Sequence, residues 1–122
     1  YHNPDATARL TSAWLEEADA PTCLIVSDDY SAIGARQAIL ERGMRIPEDI
    51  SLAGFDGIDI AGVFTPPLTT VWQDTQALGT TAAKGLIARI NGLPREGPQP
   101  VWIPTRLVPG ASIGKVYPGA ID

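Results

Sequence analysis

CLIVSDDYSAIG, residues 23–34, decides the fold. Cys23, Leu24, Ile25 and Val26 run through Ser27 straight into two adjacent aspartates, Asp28 and Asp29. A short, unbroken apolar run of this kind, 22–27, predicts a strand buried on both faces. A helical pattern over about 30–42 follows at once. Ile33, Ile39 and Leu40 supply its apolar residues, and Gly43 stands where a helix commonly stops. MRIPED makes a turn, and ISLAGF at 50–55 is a second buried strand. Strand, helix and strand in such short compass form a βαβ unit, whose two strands must be parallel. The expected class is therefore α/β, a parallel-sheet, Rossmann-like lobe.

The flanks extend the pattern. Asn3 is a suitable N-cap, and Pro4 fits the first position of a helix. Ala6, Leu10, Trp14 and Ala18 recur every four residues, which predicts an apolar face and places Trp14 in the core. Downstream, DGIDIAGVFTPP is a loop with room for one helical turn, and LTTVWQ at 68–73 is a third strand. A long helix over about 75–91 carries Leu78, Ala82, Leu86 and Ile90 on one stripe. LPREGPQP is a Pro-rich loop, and VWIPTRLV at 101–108 is a strand interrupted by Pro104. The tail 109–122 is turn-rich.

Composition narrows the chemistry. The chain has 122 residues, the size of one domain, with a formal net charge of -5 and no basic run. Gripping a phosphate backbone takes clustered Lys and Arg, so this segment is not expected to hold nucleic acid. Cys23 is the only cysteine, which rules out an internal disulfide, and its apolar setting predicts a buried, inert thiol. His2 is the only histidine, so a Ser-His-Asp triad or a His-rich zinc site has little to work with. No signal peptide and no apolar run of membrane-spanning length is visible, which makes the cytoplasm the expected location.

Each predicted strand runs into a polar group. The first leads to Asp28 and Asp29, the second to Asp56, and the third ends in Gln73 beside Trp72. In an open parallel sheet, ligands bind at the carboxyl ends of the strands. Acids and an amide gathered there suit a ligand rich in hydroxyl groups. Trp72 would offer a sugar ring a flat face if it points to the same side. Plainer roles compete: one of Asp28 and Asp29 caps the following helix, with Asp29 preferred, and Asp56-Gly57 is a turn signal in its own right. A receiver-like phosphoacceptor domain also pairs acids after one strand with an aspartate after another. It needs a lysine at a later strand end, whereas Lys84 falls in a helix and Lys115 in the tail.

Three stretches together carry a resemblance: DD-x-x-A-x-G at 28–34, G-x-x-I-P-E-D-I-S-L-A-G-F-D at 43–56, and T-P-P-L-T-T-V-x-Q at 65–73, followed by L-G in a helix. From about 21 to 108 the chain resembles the effector-binding domain of LacI/GalR-family transcription regulators. The resemblance implies a type I periplasmic-binding-protein-like fold, present here as an incomplete lobe. Residues 1–73 would form the C-terminal lobe, 74–108 a crossover helix and strand of the other lobe, and 109–122 a C-terminal tail. Carried over by position, Asp28, Asp56 and Gln73 would meet the effector, beside the Trp72 of the strand-end reading, and Asp29 would begin the helix. Ile33 and Phe64 would lie at a homodimer contact. The implied partners are a small sugar-like effector, a second copy, and a DNA operator read through a helix-turn-helix outside this chain. A secreted solute-binding protein of the same fold is the alternative. No catalytic residue, metal or cofactor is expected, and the protein is not expected to be an enzyme.

Overall fold

The computed structural model describes residues 2–92 and 100–115, so the Pro-rich loop expected at 93–100 and the end of the tail lie largely outside the described residues. Among the described residues the order is α1 (Pro4–Trp14), β1 (Cys23–Ile25), α2 (Asp29–Glu41), β2 (Ser51–Ala53), α3 (Ile60–Val63), β3 (Thr70–Gln73), α4 (Thr75–Ile90) and β4 (Thr105–Val108). The expected helices and strands are all present. β4 begins only after Pro104, because a residue without an N–H cannot serve the ladder.

β1 and β2 pair in parallel, Leu24 opposite Leu52. Parallel bridges from Ala53 to Thr69 and from Asp56 to Trp72 carry the pairing on to β3. The bonds Gly54 N to Thr69 O at 2.9 Å and Asp56 N to Val71 O at 3.0 Å make that join. β4 is the neighbour of β3 in the sheet. The chain divides into two compact units, one running to Trp72 and resuming at Leu107, the other Gln73–Arg106. Both connections between the units are therefore made within strands, β3 and β4.

In the first unit, Leu24, Ile39, Ile50, Leu52, Phe64 and Leu68 form the centre of the core. Each fully buried aliphatic side chain contributes about 1.5–3 kcal/mol through removal from water. Three expectations fail here. β1 is not buried on both faces: Leu24 points inward, while Ile25 is 80% exposed and Cys23 is exposed as well. Alternation along the strand sends its neighbours to the side opposite Leu24, so the thiol is not a core group. Trp14, 43% exposed, is not core either, and Leu10 is exposed with it.

The reason lies in how α1 packs. Its Asn3 cap forms as expected, with the side chain accepting from Ala6 N at 3.0 Å. The helix then turns its smaller residues toward α2, burying Thr11 completely and packing Leu15 against the core. The facing side of α2 is small too, with Ala32, Ala35 and Ala38 fully buried. Gly34 lies so close to α1 that any Cβ there would overlap the carbonyl of Pro4. Arg42 locks the far end of α1 through Ser12 and Glu16. Close approach of two small-residue faces thus overrides the larger apolar stripe.

The tail is not a free appendage over its described part, 109–115. Ala111 N donates to Pro67 O at 2.8 Å, and Gly114 N to Ser51 Oγ at 3.0 Å. Ser112, buried, joins β2 to the segment entering β3. Its hydroxyl donates to Leu52 O at 2.6 Å and accepts from Thr69 N at 2.8 Å, while its carbonyl accepts from Leu52 N at 2.9 Å. In the second unit, α4 is capped by Asp74, whose side chain accepts from Ala77 N at 2.8 Å. No residue of α4 is buried, and Leu86, Ile87 and Ile90 are exposed.

Candidate functional site

Parallel pairing sets the site. Because β1, β2 and β3 run the same way, their carboxyl ends share one rim. Asp29 N donates to Phe55 O at 2.8 Å, which ties the end of the first strand segment to that of the second. The Asp56–Trp72 bridge ties the second to the third. Asp28, Asp29, Asp56 and Trp72 are thereby brought to a single edge of the first unit. Gln73, half-buried, closes β3 and is the first residue of the second unit.

The two adjacent acids exchange the roles expected of them. Asp28, not Asp29, is the N-cap of α2: its Oδ1 accepts from Ser31 N at 2.8 Å. The helix starts one residue earlier than the pattern suggested, which moves the cap back by one. Asp28 is 0% exposed. Its carboxylate also accepts from Ser27 Oγ at 2.9 Å, Ser31 Oγ at 2.8 Å and His2 N at 3.3 Å. Burial alone would push this carboxyl up, but the bonds from Ser31, Ser27 and His2 outweigh it and hold the group well below the usual carboxylate range.

Asp29 is buried as deeply, and it reaches across the rim. Its Oδ2 accepts from Ile58 N at 3.0 Å and its Oδ1 from Thr70 Oγ1 at 2.6 Å. Both acids are thus engaged by the chain itself, which is unlike the open pair a phosphoacceptor uses. Among the described residues, no group of three or more His, Cys, Asp or Glu is arranged to hold a metal ion.

Asp56 is the acid that the backbone treats specially. Its φ is 103°, in the left-handed region where side chains other than glycine's are disfavoured, and Gly57 follows at 67°. The turn is pressed against the third strand: a Cβ on Gly57 would stand 2.6 Å from Trp72 Cβ. Trp72 is half-buried beside this turn.

His2 is a rim residue that the sequence did not reveal. Its Nδ1 lies 3.2 Å from Asp28 Oδ1, and its ring meets Tyr30 edge-on at 5.7 Å between centroids. No local signal marks it, since Asp28 is 26 residues away. The contact follows from the packing of α1, whose first turn rests on Gly34 and so delivers His2, two residues before the helix, to the start of α2.

Away from the rim, Ile33 and Phe64 line one groove of about 250 Å³ with Arg36, Ile60 and Val63. The Arg36 guanidinium lies 5.9 Å from the centre of the Phe64 ring, and its Nη2 donates to Thr65 O at 3.3 Å. The buried Arg36 Nε has no hydrogen-bond partner among the described residues.

A parallel sheet with polar groups gathered at one carboxyl edge, and strands for connections to a second unit, defines a class of ligand-binding lobe. The model of the periplasmic binding protein-like domain matches residues 2–113, and the chain belongs to that family. Within it, the chain is a LacI-family effector-binding domain. It is 37% identical over 110 residues to the HTH-type transcriptional repressor PurR of Escherichia coli O1:K1, covering 90% of this chain and 32% of that protein. Among solved structures it is similar to the lac repressor dimer bound to operator and the anti-inducer ONPF, with 34% identity and a TM-score of 0.78, covering 88% of this chain and 37% of that one. It is also similar to a LacI family regulator from Enterococcus faecium with bound ribose, at 31% identity and a TM-score of 0.75, covering 94% and 42%. The chain thus spans about a third of the length of the curated relatives it matches.

Proposed function

We propose that this chain is the ligand-sensing part of a LacI-type transcriptional regulator and binds a small, hydroxyl-rich effector, a sugar or sugar-like molecule, at the rim of Asp28, Asp56 and Trp72, where β3 ends in Gln73. The observation that carries this reading is the parallel bridge between Asp56 and Trp72, which sets these two residues side by side at one strand end. Asp56 accepts from ligand hydroxyls, Trp72 supplies a flat apolar wall, and Asp28 acts with His2, whose ring it holds. The relative with bound ribose supports the choice of ligand class.

No bond is made or broken in this function. The effector favours one arrangement of the protein over another by its difference in affinity for the two, and a homodimer passes that preference to DNA-binding heads outside this chain. Ile33, Phe64 and Val63 form the two-fold contact. The working compartment is the cytoplasm, where the operator is. The test is a thermal-shift screen of the full-length gene product against sugars that include D-ribose and lactose, repeated with Asp56→Asn. A sugar that stabilises the native protein should lose about tenfold or more in affinity in that variant, the worth of one charge-assisted hydrogen bond. Undiminished affinity would remove Asp56 from the site.

A further inference from the structure

We propose that Asp29 is a positioning residue for the effector site: it holds the strained turn at Asp56 in the shape that presents the Asp56 carboxylate, and it fastens that turn to β3. This rests on the reading of the rim as an effector site. Asp29 grips Asp56 from both sides. Its own N–H donates to Phe55 O at 2.8 Å, just before the turn, and its Oδ2 accepts from Ile58 N at 3.0 Å, just after it. The second oxygen accepts the Thr70 hydroxyl at 2.6 Å, where β3 begins.

The surroundings are built around this carboxylate. Gly54 has no side chain where Asp29 Oδ1 lies, and a Cβ there would overlap that oxygen. Asp29 is fully buried, and both its carboxylate oxygens are taken up by the turn and by β3. What it holds is costly: Asp56 at φ 103° is a non-glycine residue in a conformation that persists only when its neighbours enforce it. The Asp29–Ile58 bond fixes the exit of that turn, and the Asp56 N to Val71 O bond at 3.0 Å fixes its entry. Asp29 also opens α2, the helix that carries Ile33 and Arg36 to the groove. One buried side chain therefore joins the ligand-facing turn, β3 and the groove helix.

The test uses the full-length gene product with three variants, Asp29→Ala, Asp29→Asn and Gly54→Ala. Amide hydrogen exchange at Ile58 reports the turn without any ligand. Asp29→Ala should speed that exchange at least tenfold while the amides of Ala38 and Ile39 in α2 keep their protection. Asp29→Asn should restore most of it, since the amide oxygen still accepts from Ile58 N and the Thr70 hydroxyl can turn to accept from the amide nitrogen. Should Asp29→Ala not fold, Gly54→Ala makes the same prediction by displacing the carboxylate. Affinity for D-ribose or lactose, whichever stabilises the native protein, should fall in the same order, and Asp29→Ala should add little to the loss in Asp56→Asn. Unchanged exchange at Ile58, or losses that multiply independently with Asp56→Asn, would overturn the proposal. If neither sugar binds the native protein, the sugar reading of the rim fails, while the exchange data still decide whether Asp29 holds the turn.

Discussion

Asp56 shows how a single backbone angle alters the meaning of an experiment. Alanine is the customary truncation, yet at φ 103° it would add strain of about 1–2 kcal/mol to the loss of the carboxylate. Asparagine tolerates that region and removes only the charge. Asp56→Asn should therefore keep its melting temperature within a few degrees while losing ligand affinity, whereas Asp56→Ala should lose both, as paired thermal melts and titrations will show. The neighbouring acid, Asp28, makes a prediction about pH. Its folded carboxyl titrates below the ordinary range, so it binds protons less readily folded than unfolded. The stability it contributes is fully present above about pH 5 and fades as pH falls through about 4 toward the lower folded value. The stability gap between the native protein and Asp28→Asn, measured by urea unfolding, should be widest near neutrality and close in acid. The sequence showed that two acids stood at a strand end. It could not say which one capped the helix, because that turns on a one-residue difference in where α2 starts. It gave no sign of His2, because that contact exists only once α1 has docked.

Among the elements, α1 and α2 show what periodicity can and cannot reveal. Capping by Asn3 and the stop of α2 at Gly43 were legible because they are local chemistry, whereas α1 ends at Trp14, several residues short of the expected stop. The parallel order of the strands was legible because a βαβ pattern allows little else. The buried face of α1 was not, because it depends on the shape of the partner. The large stripe of Leu10 and Trp14 had the right period, but α2 presents a surface of alanines and Gly34 that accepts only a close, small-residue approach. Gly34→Ala tests this with two effects of opposite sign. Helix propensity alone favours alanine by about 1 kcal/mol. Overlap with the Pro4 carbonyl is with backbone, which cannot rotate away, and overpacking of this kind costs about 1–3 kcal/mol. The clash should win, so chemical unfolding should show a net loss of stability. The same displacement of α1 would move His2 off Asp28. A gain on substitution would mean that the two helices are not in the close contact described.

For the whole molecule, the informative surfaces are those left apolar. Val63 is 76% exposed beside the buried Phe64, in the groove that Ile33, Arg36 and Ile60 complete. As it buries little of itself, a charge there should change monomer stability by no more than about 0.5 kcal/mol. In a two-fold contact, however, each copy meets the same patch of the other, so one substitution places two like charges in the interface. If the proposed two-fold contact lies here, Val63→Glu in the full-length gene product should sediment as a monomer at concentrations where the unsubstituted protein sediments as a dimer. Its rim is built from other residues, so its affinity for the stabilising sugar should stay within a few-fold of native. Leu40→Glu is the matched control: it lies on α2, is exposed, and is absent from the groove, and it should remain dimeric. Dissociation of both variants would point to a general effect of added charge. If both stayed dimeric, the contact would have to lie on another face, and the route from Asp29 through α2 would end without a partner to receive it.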